Sequence, residues 1–168
     1  VIHNYPYRFN FIRYRNYAIF AIAIYAGLRK SEILNLKCVD VNIEGFSVFV
    51  RDGKGGKDRI IPMSSTLANI LKLYEVERKK WKKTCSEYFA SFNTNRGTSD
   101  AGLKHIAENV KVASGISFSL HKLRHTFATL MIEGGCDIYS LSKMMGHSNI
   151  TTTTIYLSAS AEHLRGKF

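Results

Sequence analysis

The chain changes hydrophobic period once, and that change limits what it can fold into. Phe46, Val48 and Val50 alternate with Ser47, Phe49 and Arg51, a period of two that predicts a strand. Asp52-Gly53-Lys54-Gly55-Gly56-Lys57-Asp58 is a glycine-rich turn, and Arg59-Ile60-Ile61 reads as the returning strand, stopped by Pro62. With Val41-Asn42-Ile43 leading in, this predicts a small antiparallel sheet of two or three strands.

The rest of the chain reads as helix. Tyr17, Phe20, Ile24 and Leu28 fall at helical spacing in a helix over Tyr14 to Tyr25, which Gly27 interrupts. A second helix starts near Lys30-Ser31-Glu32. Ser64 or Ser65 caps a third, running to about Val76, and the basic run Arg78 to Lys83 reads as its solvated end. Further helices are expected over Asp100 to Ala113, Leu120 to Glu133, and from an Asp137 cap to Met145; Gly146 ends the last, and Thr151 to Tyr156 begins a final segment. Ile33, Leu34, Phe127, Leu130, Met131 and Leu141 are expected in the core. The fold class is mainly α with a small antiparallel β-sheet, in one domain.

Charge narrows the partners. The 168 residues carry 24 Lys and Arg against 13 Asp and Glu, a net charge of +11. That surplus favours a polyanion, nucleic acid or an anionic membrane surface. The longest apolar run, Ala18 to Ala26, is too short to span a bilayer. Cys38, Cys85 and Cys136 form no C-x-x-C pair and read as incidental thiols of a reducing, cytoplasmic setting.

Four short motifs carry chemistry-bearing side chains. Gly27-Leu28-Arg29-Lys30-Ser31-Glu32 places an arginine at a helix start with a carboxylate three residues on, able to orient the guanidinium. Gly53-Lys54-Gly55-Gly56-Lys57 offers an ammonium at a hairpin tip. His121-Lys122-Leu123-Arg124-His125 sets His121 and Arg124 on one helical face. Gly146-His147 is followed nine positions later by Tyr156.

Taken in order, Arg29, Lys54, His121-x-x-Arg124, Gly146-His147 and Tyr156 resemble the tyrosine recombinase, or phage integrase, family. The flanking residues match as well: Leu123-Arg124-His125-Thr126-Phe127-Ala128-Thr129, and Leu141-Ser142 through Met144-Met145-Gly146-His147-Ser148. The likeness covers nearly the whole chain and is similar to Xer-like and mobile-element integrases. It implies the catalytic-domain fold of that family over residues 1–168, a fragment without the N-terminal core-binding domain. It also implies double-stranded DNA as partner, a tetramer on DNA for the full-length protein, and no cofactor or metal. The fragment itself is expected to be a monomer. The resemblance puts Lys54 rather than Lys57 in the Gly-Lys-Gly position, and gives His125 a supporting role. Many relatives carry a His two residues after the nucleophile; Ser158 stands there in this sequence.

Those residue types suit phosphoryl transfer. Attack on a phosphodiester loads charge on its nonbridging oxygens. Two guanidiniums, Arg29 and Arg124, can bind them bidentately and stay charged. His147 can donate a third hydrogen bond. Tyr156 would be the nucleophile. Its phenol has an ordinary pKa of about 10 and needs a base or a cationic site, with His121 as the candidate base. Lys54 is the candidate acid for the 5′-oxygen leaving group. The resemblance implies a 3′-phosphotyrosyl product. Rival classes are a metal-dependent nuclease, a type IB topoisomerase, and a catalytically silent DNA-binding module. The scattered acids offer the first of these no obvious ligand set.

Overall fold

The long apolar helix near the front of the chain is the centre of the fold. A computed structural model describes residues 9–53, 57–147 and 149–156. α1 (Asn10–Tyr25) buries Phe11 and six consecutive residues from Ala18 to Ala23. The spacing predicts one face through Tyr17, Phe20 and Ile24, yet Tyr17 and Ile24 are only partly buried. Both α3 (Ser65–Lys80) and α5 (Leu120–Glu133) pack on α1, and a helix with two neighbours is apolar around more than one stripe. α1 also begins four residues earlier than the sequence suggests. Its N-cap, Phe9, stacks on Phe92 and meets Trp81 edge-on, an aromatic cluster assembled from distant segments.

The remaining elements follow in order: α2 (Lys30–Asn35), a 3₁₀ turn at Cys38–Asp40, β1 (Val41–Asn42), β2 (Ser47–Gly53), β3 (Lys57–Pro62), α4 (Asp100–Ser114) and α6 (Ile138–Met145). Residues 151–156 are helical. The strands form one antiparallel sheet in the order β1-β2-β3, as the change of period predicts. Val48 stands opposite Ile61 and Val50 opposite Arg59, with a register shift between Val50 and Gly53. Val48, Val50 and Ile61 are buried while Ile60 is 65% exposed, so the inward series on β3 is Arg59, Ile61 and, just past the strand, Met63. The expected caps at Ser64 and Asp137 are present, and Ser99 and Ser119 add two more. Ser64, Ser99, Ser119 and Asp137 each accept a backbone N–H from the first turn that follows. Gly115 and Gly146 end α4 and α6 in the left-handed conformation.

The basic run differs from its reading as a solvated helix end. α3 continues to Lys80, and the Arg78 guanidinium gathers the carbonyls of Lys83, Cys85, Glu87 and Tyr88. Lys83 Nζ donates to Phe92 O and Thr94 O. These two cations act as tethers for the loop that follows, because a loop crossing a core must satisfy its carbonyls. Leu130, expected in the core, is 49% exposed.

Two apolar clusters result. The larger joins α1, the sheet, α3 and α4. The smaller holds Phe127, Ala128, Leu141, Met145 and Tyr156. Among the described residues, no helix is long and apolar enough to cross a membrane.

Candidate active site

Where α2 begins, the chain puts Glu32 at the third helical position, and its carboxylate turns back to cap the helix. Glu32 Oε2 accepts the Arg29 backbone N–H at 2.7 Å, and Oε1 accepts Arg29 Nη1 at 2.9 Å. The expected pairing of Arg29 with Glu32 is present, and it is the smaller part of what Glu32 does. Arg59, from β3, donates Nη1 to Oε1 and Nη2 to Oε2, both at 2.9 Å. Arg124 Nη1 lies 3.9 Å from Oε2. One carboxylate therefore stands among three guanidiniums and leaves positive charge in excess. Burial pushes the Glu32 carboxyl up, but the hydrogen bonds from Arg59 and Arg29 outweigh it and hold the group below its ordinary pKa.

The end of α6 completes the cluster. Arg59 Nε donates to Met144 O at 2.6 Å, Arg124 Nη2 to Met145 O at 2.5 Å and Arg29 Nη2 to Gly146 O at 3.2 Å. Three successive carbonyls at a helix C-terminus each receive a different arginine, which matches the negative end of the helix dipole. Arg124 Nη1 also donates to Gly27 O at 2.5 Å. Its side chain is buried. Burial first, and Arg29 next, lower its pKa to about 10, so it keeps its charge at neutral pH.

His147 follows directly. Its Nε2 is 3.3 Å from Arg124 Nη2 and its Nδ1 is 2.8 Å from Thr153 Oγ1. Arginine only donates, so Nε2 accepts and the ring proton sits on Nδ1, facing Thr153. Burial and the charges of Arg124, Arg29 and Arg59 lower the His147 pKa to about 4. This imidazole is a neutral acceptor toward Arg124.

Tyr156 is 6% exposed and packs in the smaller cluster. Burial raises its phenol pKa, with Arg124 pulling the other way, so the surroundings do not favour phenolate. The ring beside it is His125, 5.1 Å between centroids. His125 Nε2 is 2.6 Å from His121 Nε2, and only one proton fits between the two. His121 is exposed. Burial, His121 and Arg124 lower the His125 pKa.

Of the six residues read from the sequence, Arg29, Arg124 and His147 share one pocket, with Tyr156 beside it through Arg124 and His125. His121 stands behind His125, one turn away on α5. Lys54 and Ser158 lie outside the described residues. One neighbour escaped the sequence reading, and another, His125, was read only as a support. Arg59 looked like an ordinary strand residue, although its in-out alternation with buried Ile61 marks it as inward. His125 is four residues from His121, a spacing that puts both rings on one helix face.

The phage integrase family model matches residues 2–163. The tyrosine recombinase XerA of Pyrococcus horikoshii is 43% identical over 144 residues, covering 83% of this chain and 49% of the relative. The tyrosine recombinase XerD of Staphylococcus saprophyticus is 35% identical over 158 residues, covering 90% of this chain and 52% of the relative. The chain spans about half the length of the curated relatives it matches. A crystal structure of XerA recombinase superposes with a TM-score of 0.81 at 29% identity, covering 94% of this chain and 61% of that one. A XerH site-specific recombinase, solved on a palindromic difH substrate as a post-cleavage complex, gives 0.76 at 25% identity, over 94% and 46%. The chain belongs to the phage integrase family, the tyrosine recombinases.

Proposed function

We propose that this chain is the catalytic domain of a site-specific DNA recombinase that breaks and rejoins strands through a covalent phosphotyrosyl intermediate. The observation that supports it best is the set of three guanidiniums around one carboxylate, with Arg124 reaching from that set to His147, and His125 of the same helix packed on Tyr156. A pocket with excess positive charge, walled by a helix end, suits a phosphodiester whose nonbridging oxygens gain charge during attack.

In this reading Arg29 and Arg124 hold the two nonbridging oxygens. The Tyr156 oxygen bonds to phosphorus as the bond to the 5′-oxygen breaks. The phenolic proton leaves toward His121, and Lys54 gives a proton to the departing 5′-oxygen. Attack by a free 5′-hydroxyl reverses every step, so the ester energy is conserved and neither ATP nor metal is consumed. An anionic phosphate beside Arg124 reverses the field on His147 and draws a proton onto Nε2, turning an acceptor into a donor. The partner is double-stranded DNA, the working assembly of the full-length protein is a tetramer on it, and the setting is cytoplasmic.

The test is a nicked suicide duplex whose cleaved fragment diffuses away. Wild type is expected to accumulate a protein–DNA adduct in the presence of EDTA, and Tyr156→Phe none. An adduct that persists in the variant moves the nucleophile elsewhere. A wild type that forms none on any duplex leaves a silent DNA-binding module.

A further inference from the structure

Arg59 is the most heavily committed cation of the site, and nothing in the proposed chemistry uses it. All three nitrogens of its guanidinium donate: two to the Glu32 carboxylate and Nε to Met144 O. Its side chain is 7% exposed. Gly146 lies against it, so that a Cβ there would sit 3.0 Å from Nη1. Arg59 cannot reach a phosphate without abandoning Glu32. Arg29 differs, since its side chain is 23% exposed.

We propose that Arg59 is a positioning residue that sets the phosphate-binding geometry of Arg29 and the approach of His147. This rests on the reading that Tyr156 attacks a phosphodiester held by Arg29 and Arg124. Two connections carry it. First, the bidentate bond from Arg59 fixes the plane of the Glu32 carboxylate, and Glu32 in turn grips Arg29 by both its backbone N–H and its guanidinium. Second, Arg59 holds Met144 O, one residue before the carbonyl that Arg124 holds and two before the carbonyl that Arg29 holds. The turn carrying His147 is thereby pinned to the same carboxylate. Arg59 also offsets the negative charge of Glu32, so the charges of Arg29 and Arg124 remain available to an arriving anion.

The side chain must be arginine for this role. A planar fork can satisfy both carboxylate oxygens and still aim Nε sideways, whereas an ammonium supplies a point charge with no fixed plane. Arg59→Lys therefore separates charge from orientation. Its charge stays on β3, and the parallel pair of bonds is lost.

The experiment compares wild type and Arg59→Lys on two nicked suicide duplexes. One has an ordinary scissile phosphate. The other has a methylphosphonate there, in which a nonbridging oxygen is replaced by methyl and the ground-state charge is gone. Duplex affinity and thermal unfolding are measured alongside. On the phosphate, Arg59→Lys is expected to form adduct about 10- to 100-fold more slowly, the scale of a small misplacement of catalytic groups, with duplex affinity little changed. On the methylphosphonate the loss is expected to shrink, because less charge needs to be stabilised. An equal loss on both substrates assigns Arg59 to general structure and overturns the proposal. So does a variant that fails to fold, or one that cleaves at the wild-type rate. A wild type that forms no adduct removes the catalytic reading and this inference together, whereas a normal wild type with an unaffected variant removes this inference alone.

Discussion

The two halves of the site are built on different foundations. The arginine cradle stands on α2, β3, α5 and the end of α6, with its carboxylate next to Ile33 of the larger core. Tyr156 rests on the smaller cluster of Phe127, Ala128, Leu141 and Met145. The cradle is cross-linked by charge-assisted hydrogen bonds from four segments of chain. Tyr156 is held by apolar packing and by a ring contact with His125. Transition-state stabilisation needs donors whose positions are fixed before charge develops. In the proposed reaction Tyr156 becomes attached to DNA, and a side chain with that task needs a support it can leave and regain. The structure spends its polar network on the first and only a modest apolar contact on the second.

Removing the hub breaks the cradle most severely. Glu32→Ala leaves Arg29, Arg59 and Arg124 buried together with no carboxylate among them. Removing one partner of a buried ion pair typically costs about 3–5 kcal/mol, and the urea midpoint should fall accordingly. A midpoint within error of wild type would mean that the three guanidiniums are solvated in solution. Arg124→Ala removes a proposed phosphate donor and should slow adduct formation at least ~100-fold, the scale of one lost oxyanion donor. A retained rate on the suicide duplex would take Arg124 out of the chemistry and leave it a bracket between Gly27 O and Met145 O.

The comparison also explains what could be read without coordinates. The sheet was legible because a change from period 3.6 to period two is local, and so were the caps at Ser64 and Asp137; the caps at Ser99 and Ser119 came only with the structure. Arg29, Arg124, His147 and Tyr156 were legible because each sits in a short run whose neighbours also match the family. Arg59 was not. Its partners are 27 residues back and 85 residues on, and no window of sequence contains both. Arg78 misled for a different reason: its carbonyl partners are only 5 to 10 residues away but lie in an irregular loop with no period, so a tether looked like a solvated charge. Polar contacts made by single arginines, across the chain or into an irregular loop, were the part of the fold that periodicity could not carry.

Gly27 is a joint between the two regions. Its φ is +62°, its carbonyl accepts Arg124 Nη1, and a Cβ there would sit 2.3 Å from the Phe127 ring. Gly27→Ala combines a left-handed backbone penalty with overpacking against the smaller cluster. We expect a loss of about 2 kcal/mol and a slower adduct, both measured on one preparation. A stable variant with normal cleavage would show that Phe127 can turn aside and that the two regions are less tightly coupled than their contacts suggest.

The smallest effect sharpens the comparison most, because His147 touches both sides: Nε2 faces Arg124 of the cradle, and Nδ1 faces Thr153 in the segment that leads to Tyr156. Its folded pKa of about 4 lies below the ordinary 6.5. Above pH 6.5 neither folded nor unfolded chain protonates it. As pH falls from there toward 4, the unfolded chain takes up a proton that the folded one refuses, so this contribution to stability is lost across that window. Urea midpoints of wild type should therefore fall between pH 7.5 and 4.5 more steeply than those of His147→Asn. His125, whose pKa is also lowered, leaves a residual slope in both. Parallel slopes would mean that the three arginines do not act on His147. Duplex DNA should reverse the sign. A bound phosphate raises the His147 pKa, so wild-type affinity should gain more than that of His147→Asn as pH drops through the same range. The proton that the three arginines repel would then be the one that a bound phosphate recruits.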